Sequence, residues 1–271
     1  MSGKMATIAL HCSSFVAKQF GYHADNEWGA CVQAGADYYR PIETFPGRFE
    51  HLILHVRSLG FDAMDVWQPG QLNWQWATPQ HIAAARSALD KHHMTVTSLA
   101  GEFGETRAEF ISACELAKGI GAAMLSGMCD LLAADRGFVL DRLKHYGLKL
   151  ALENHPETNA RQMLDQIGPV KEDCLGTAVD TGWYATRGYD VVRAIQELEG
   201  RIFHIHLKNV LPGAEHINCG YTQGIVPLEA CVHALKKAGY QGVYSVENHV
   251  LDHDPEDELR EGGLLVRQWL K

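Results

Sequence analysis

Four positions in the second half of the chain each close a short apolar run: Glu153 in LALENH, Asp180 in AVDTGW, His206 in HIHLKN and Glu247 in SVENH. They lie 27, 26 and 41 residues apart, which is one ligand-bearing side chain per strand-and-helix unit. Any one of them alone reads as an ordinary polar group at a strand end. Four in consecutive units, each at the same place relative to its apolar run, carry the signal that no single residue does. Two Glu, one Asp and one His meeting at a point make a hard, oxygen-rich set suited to Mn²⁺, Mg²⁺, Co²⁺ or Zn²⁺, with room for water or substrate. Without a cation, three close carboxylates repel one another, and at least one must take up a proton or find a positive partner.

Such convergence requires a scaffold that delivers several strand ends to one face. Eight apolar runs have the length and β-branched content of buried parallel strands: 5–12, 61–67, 94–102, 122–128, 148–155, 175–182, 202–209 and 242–249. Segments of 3.6-residue periodicity separate most of them, such as TPQHIAAARSALDKHH and PLEACVHALKKAGY. Thr78-Pro79 and Pro227 mark helix starts, and Gly121, Gly147, Gly200 and Gly239 mark helix ends. The predicted fold class is α/β, a single (β/α)8 TIM barrel over residues 1–271. No glycine-rich phosphate loop follows any strand, which removes the usual nucleotide-binding readings. Two intervals are long. The first insertion, residues 16–48, carries Tyr22, Trp28, Tyr38, Tyr39, Arg40 and Pro41, and the second, 210–224, carries His216, Cys219, Tyr221 and Gln223. Both belong on the C-terminal face, where barrel active sites are built, and are expected to act as lids.

Composition narrows the partners. Twenty-four Lys and Arg against 33 Asp and Glu leave a formal charge of −9, with no basic run, so no nucleic-acid partner is expected. No apolar stretch is long enough for a membrane span and the N-terminal one is too short for a signal peptide. Seven Cys without a CxxC pair suit reduced, buried thiols, and the expected localisation is cytoplasmic. The number of copies in the working assembly is left open, a homo-oligomer included.

The four quoted segments resemble the strand-end motifs of the xylose-isomerase-like TIM-barrel superfamily. It includes sugar phosphate isomerases and epimerases, inosose isomerases and dehydratases, ketose 3-epimerases and hydroxypyruvate isomerases, with the AP-endonuclease endonuclease IV as a distant member. The likeness follows the whole chain in strand order, and its specific part begins near residue 147. It implies that Glu153, Asp180, His206 and Glu247 bind one divalent metal ion, Mn²⁺ first among candidates. It also implies that Glu153 and Glu247 double as the acid/base pair.

The implied activity is an isomerase or epimerase moving a proton on a keto- or hydroxy-carbohydrate through an enediolate stabilised by the cation. A lyase is the alternative: the same groups would abstract a proton next to a keto group and then eliminate a β-hydroxyl or β-glycosyl group. A non-catalytic sugar-binding barrel is a further alternative. An endonuclease-like phosphodiesterase would need extra His ligands and a basic surface, which this chain lacks. Where several family members carry His three residues after the sixth-strand Asp, this chain has Trp183, which cannot ligate a metal but can wall a sugar ring. Further substrate-binding candidates are Lys208, His155, Glu102 and His216, the last also a mobile acid/base. His11 and His249 are expected to line the pocket or support it, His204 to be structural, and Asp65 to point toward the mouth.

Overall fold

Eight strands follow the predicted apolar runs, trimmed at their ends: β1 Thr7–His11, β2 Ala63–Trp67, β3 Thr95–Glu102, β4 Met124–Met128, β5 Lys149–Glu153, β6 Leu175–Asp180, β7 Ile202–Leu207 and β10 Val243–Val246. The computed structural model describes residues 6–24, 27–169 and 172–271, so the Met5 start of the first run lies outside them. All eight strands pair in parallel and close on themselves in the order β1-β10-β7-β6-β5-β4-β3-β2. Between β7 and β10, Asn209–Val210 (β8) and Asn218–Cys219 (β9) form a small antiparallel ribbon.

Helices wrap the ring because their apolar stripes match the strands' outer faces. Helix Arg107–Ile120 shows the local logic: the Thr106 hydroxyl accepts from the Glu109 amide at 3.3 Å, and the Glu109 carboxylate accepts from the Thr106 amide at 2.9 Å. Gly121, at φ +82°, ends it, in a left-handed conformation that glycine adopts without steric cost. The first insertion folds as an added helix, Trp28–Tyr39, ahead of Phe45–Ser58. One contiguous apolar core runs from Leu10 to Trp269, and each fully buried Leu or Phe in it contributes roughly 1.5–3 kcal/mol. All seven cysteines are free and buried. No helix among the described residues is long and apolar enough to cross a membrane.

Candidate active site at the barrel mouth

The strand register sets the site's height. Asp180 lies opposite His206, and His206 opposite Ser245, two residues before Glu247. The Glu247 amide donates to the Leu207 carbonyl at 3.1 Å, which carries the pairing past the end of β10. Buried amides and hydroxyls then hold the backbone still. Asn154 donates through Nδ2 to the Asp180 carbonyl at 3.0 Å and accepts the Asp180 amide at 2.7 Å. The Tyr221 hydroxyl sits 3.0 Å and 2.9 Å from the carbonyls of Leu207 and Glu247. Gly182 has a steric reason: a Cβ there would stand 2.7 Å from Cγ of Lys208 and 2.8 Å from its Cδ, closing the channel through which the lysine stem enters.

Ligand atoms of Glu153, Asp180 and His206 all lie within 4.8 Å of one another. His206 Nδ1 is 3.0 Å from Glu153 Oε1 and 3.6 Å from Glu247 Oε2, while its Nε2 faces the Ser126 hydroxyl at 3.4 Å. Glu247 turns its other oxygen away, toward Ser13 at 3.1 Å, His11 at 3.5 Å and His249 at 2.5 Å. Three of the four expected ligands therefore form a tight group, and the fourth bridges it to a neighbouring cluster of imidazoles.

Lys208 takes a place that sequence did not anticipate. Its stem and ammonium are buried, and Nζ lies 2.9 Å from Asp180 Oδ2 and 3.4 Å from Glu247 Oε2. These are ion-pair separations, yet among the described residues neither oxygen receives a hydrogen bond of good geometry. Three carboxyls face two cations here, so full ionisation would leave one negative charge over. The protein meets this in part through Asp180. Burial pushes its carboxyl up, Glu247 and Glu153 push it further against the pull of Lys208, and it reaches about 7. Burial opposes ionisation of Glu153 too, but His206 and Lys208 outweigh it and hold that carboxyl at about 2. Glu247 is kept well below the usual range because Lys208, His11, His249 and His206 together overcome its burial. Burial would lower His206, yet Glu153 and Glu247 raise it to about 10.

Beneath this layer lies a second buried one. Asp65 Oδ1 accepts from Ser98 at 2.7 Å and from Thr97, and Oδ2 faces His204 Nε2 at 3.0 Å and the Ser245 hydroxyl. Asp65 therefore points into the barrel interior and not toward the mouth. Short strand residues at this depth leave the space that a buried aspartate with four partners fills.

Above both layers opens a cleft of about 1730 Å³, lined by Glu153, Lys208, Glu247, Trp183, His216, His155 and Glu102 among others. Trp183 and His216 stack at 3.7 Å and 8°, and the His155 ring meets the Trp183 edge at 4.5 Å. His216 holds φ +53°, and its Nδ1 lies 2.8 Å from the Thr186 hydroxyl. Burial foremost, then Lys208, pushes this imidazole down to about 2, so it is neutral. Glu102 stands exposed at the rim, its carbonyl accepting from Trp74 Nε1 at 2.9 Å.

Both insertions reach the cleft, through Trp28 and Arg40 from the first and His216, Cys219 and Gln223 from the second. Tyr22, Tyr39 and Tyr221 instead belong to the apolar core, because their rings bury more area there than at the rim. The sequence reading missed Ser13, Ser126, Asn154, Gln68, Trp67, Trp74 and Trp76. Three tryptophans within ten residues, Trp67 to Trp76, were a usable signal for the last group.

Comparison with known proteins agrees with this architecture. The family model described as xylose isomerase-like TIM barrel matches residues 53–269. No curated protein matches the sequence. Among solved structures, a D-tagatose 3-epimerase-like protein superposes with TM-score 0.67 at 16% identity, covering 80% of this chain and 91% of its own. D-allulose 3-epimerase from Methylomonas sp. in complex with D-allulose gives 0.67 at 13%, covering 82% and 91%. The probable 3-DHS dehydratase AsbF from Bacillus anthracis gives 0.62 at 16%, covering 96% and 98%. Identities this low speak to the fold, while the family match spans most of the chain, from the helix before β2 to the last helix: this protein belongs to the xylose isomerase-like TIM barrel family.

Proposed function

We propose that this protein is a divalent-metal-dependent isomerase or epimerase that moves a proton on a keto- or hydroxy-carbohydrate, with Glu153 and Glu247 as the acid/base pair. The observation that carries the reading is the pair of glutamates flanking His206 Nδ1 at 3.0 and 3.6 Å, both facing one cleft from β5 and from the end of β10. The epimerases and the dehydratase among the structural neighbours support the class of chemistry.

The residues present suit a divalent ion. Among the described residues, Asp180 Oδ2 and Glu247 Oε2 are buried oxygens without a well-directed hydrogen bond, and the cluster carries surplus negative charge. Glu153, Asp180, His206 and Glu247 would hold the ion, with Ser126 orienting the far nitrogen of His206. When bound, it would supply Lewis-acid stabilisation of negative charge developing on a substrate oxygen. The chain's own groups do the rest. Glu153 and Glu247 are held ionised, the form from which a base must start. One removes a proton from the carbon beside the carbonyl and, by handing that same proton to the neighbouring carbon, isomerises the sugar; for epimerisation the other, protonated from solvent water, delivers its proton to the opposite face while the first releases its own to water. Lys208, through its ammonium, keeps Asp180 and Glu247 oriented and draws negative charge toward the same spot. Trp183, His155 and Glu102 wall and hydrogen-bond the sugar, and His216 presents a neutral imidazole to a hydroxyl.

A lyase using the same carboxylates is favoured by one specific feature. Stacked on Trp183 and held neutral, His216 can pair with a hydroxyl of the leaving group, while the proton for the departing oxygen comes from the carboxylate that has just removed one from carbon. Deuterium uptake from D₂O into keto-sugars, keto-inositols and 3-keto-glycosides, with and without chelator, tests both readings. Chelator-sensitive exchange at one carbon with the skeleton intact supports the isomerase or epimerase, and exchange accompanied by loss of a hydroxyl or glycosyl group supports the lyase. Exchange unaffected by Glu153→Gln and Glu247→Gln together would remove both.

A further inference from the structure

Five of the six tryptophans, Trp28, Trp67, Trp74, Trp76 and Trp183, line one cleft. Trp183 follows β6, and Trp28, after β1, packs on His249 at 5.2 Å, next to Glu247. Trp67 ends β2 and Trp74 and Trp76 follow it, and β2 lies across the ring from β6 in the closed barrel order. A single sugar ring held between Glu153 and Glu247 leaves that far wall uncovered. Size argues the same way. Pockets that bury most of a drug-sized ligand run to about 1,000 Å³, a monosaccharide is smaller than such a ligand, and this cleft has about 1730 Å³.

The far wall is also chemically built. Gln68 is buried, its Nε2 donating to the Glu102 carbonyl, and its Oε1 has no partner among the described residues. Trp76, also on the wall, has a buried Nε1 donor without a partner among the described residues. Trp74 is held by its hydrogen bond to Glu102, and Trp28 packs edgewise on Trp67 at 5.7 Å while staying 39% exposed. Indole faces beside an orphaned acceptor and donor suit a flat-sided ring bearing hydroxyls.

We propose that the β1–β3 side of the cleft is a second subsite, holding a ring joined to the reacting sugar by a glycosidic bond, so that the substrate is a two-ring keto-glycoside. This rests on the carbohydrate chemistry proposed above and names its substrate class. The second ring is either a sugar or an aromatic aglycone; both offer the same flat face.

Titration of tryptophan fluorescence with glucose, cellobiose and phenyl β-D-glucoside tests it without requiring turnover. Both two-ring probes, or the one whose second ring is correct, are expected to bind at least about tenfold more tightly than glucose. Trp74→Ala should erase most of that advantage and leave glucose binding unchanged, and Trp74→Phe should restore part of it. Trp76→Ala gives the same test should the first variant fold poorly. Equal or undetectable responses to all three probes, or a variant that weakens glucose and the two-ring probes alike, would overturn the subsite. The two proposals fail separately. If the wild-type protein shows no deuterium exchange with any keto-sugar, the chemistry is wrong, while the titration still decides whether the second ring is bound.

Discussion

The half of the barrel mouth built by β5, β6, β7 and β10 carries Glu153, Asp180, His206, Lys208 and Glu247, whereas the half built by β1 to β3 presents Trp28, Trp67, Gln68, Trp74 and Trp76. On the first side the ionisable groups sit on or next to strands, and buried hydrogen bonds from Asn154, Thr181 and Tyr221 hold their backbone. On the second side Trp28, Trp74 and Trp76 ride on the segments that connect strands, and Trp28 packs on Trp67 at the end of β2. The difference teaches a division of labour: groups that must meet within a few ångströms are pinned by strand register, and groups that recognise shape are carried by loops.

Breaking the ionisable half should have the largest effect. Glu153→Gln or Glu247→Gln is expected to lower deuterium exchange by about 10²–10⁴-fold while leaving two-ring probe binding within a factor of about three. An equal loss of binding would show that the two halves are not separable. Next comes Lys208→Met, which strips two buried carboxylates of their ammonium. It should cost about 3–5 kcal/mol in urea unfolding of the metal-free protein, with millimolar MnCl₂ recovering part of the loss. Stability equal to wild type would mean that the ammonium is not what balances the cluster.

The Trp74 variants described above sharpen the other side of the comparison, with an expected change of about tenfold in binding, or 1.4 kcal/mol. His216 links the two sides. Its imidazole is held at about 2 by burial first, with Lys208, His249 and His155 acting the same way against Glu247. A folded value below the ordinary one of about 6.5 means its contribution is present above that pH and is lost as pH falls below it, by at most about 1.4 kcal/mol per unit. Urea unfolding at pH 5 and pH 7 should show this slope, and His216→Gln should flatten it. The smallest effect is Tyr221→Phe, expected to cost about 1 kcal/mol by unpairing two buried carbonyls, as read from the melting temperature.

Much of this was legible before the chain was folded. The eight strands, the helices between them and the strand-end places of Glu153, Asp180, His206 and Glu247 follow from apolar runs and their spacing, because a buried parallel strand is short, continuous and apolar. Asp65 was misplaced because a strand's sequence does not say how deep each residue sits once the ring closes. Gln68, Trp74 and Trp76 were passed over because they lie between elements, where no periodicity marks them. Asn154 stands in LALENH beside Glu153, yet its grip on the Asp180 backbone depends on β5 and β6 being neighbours.

By itself the sequence determined the α/β alternation in eight units and which side chains stand at strand ends, since local propensity and hydrophobic period decide those. Only the tertiary structure decided that Lys208 enters the carboxylate cluster past Gly182, that Glu247 leans toward His11 and His249, and that Trp67, Trp74 and Trp76 line the side of the cleft across from β6. Those are distances between residues far apart in the chain, and they are set by ring closure and side-chain packing, which no local pattern encodes.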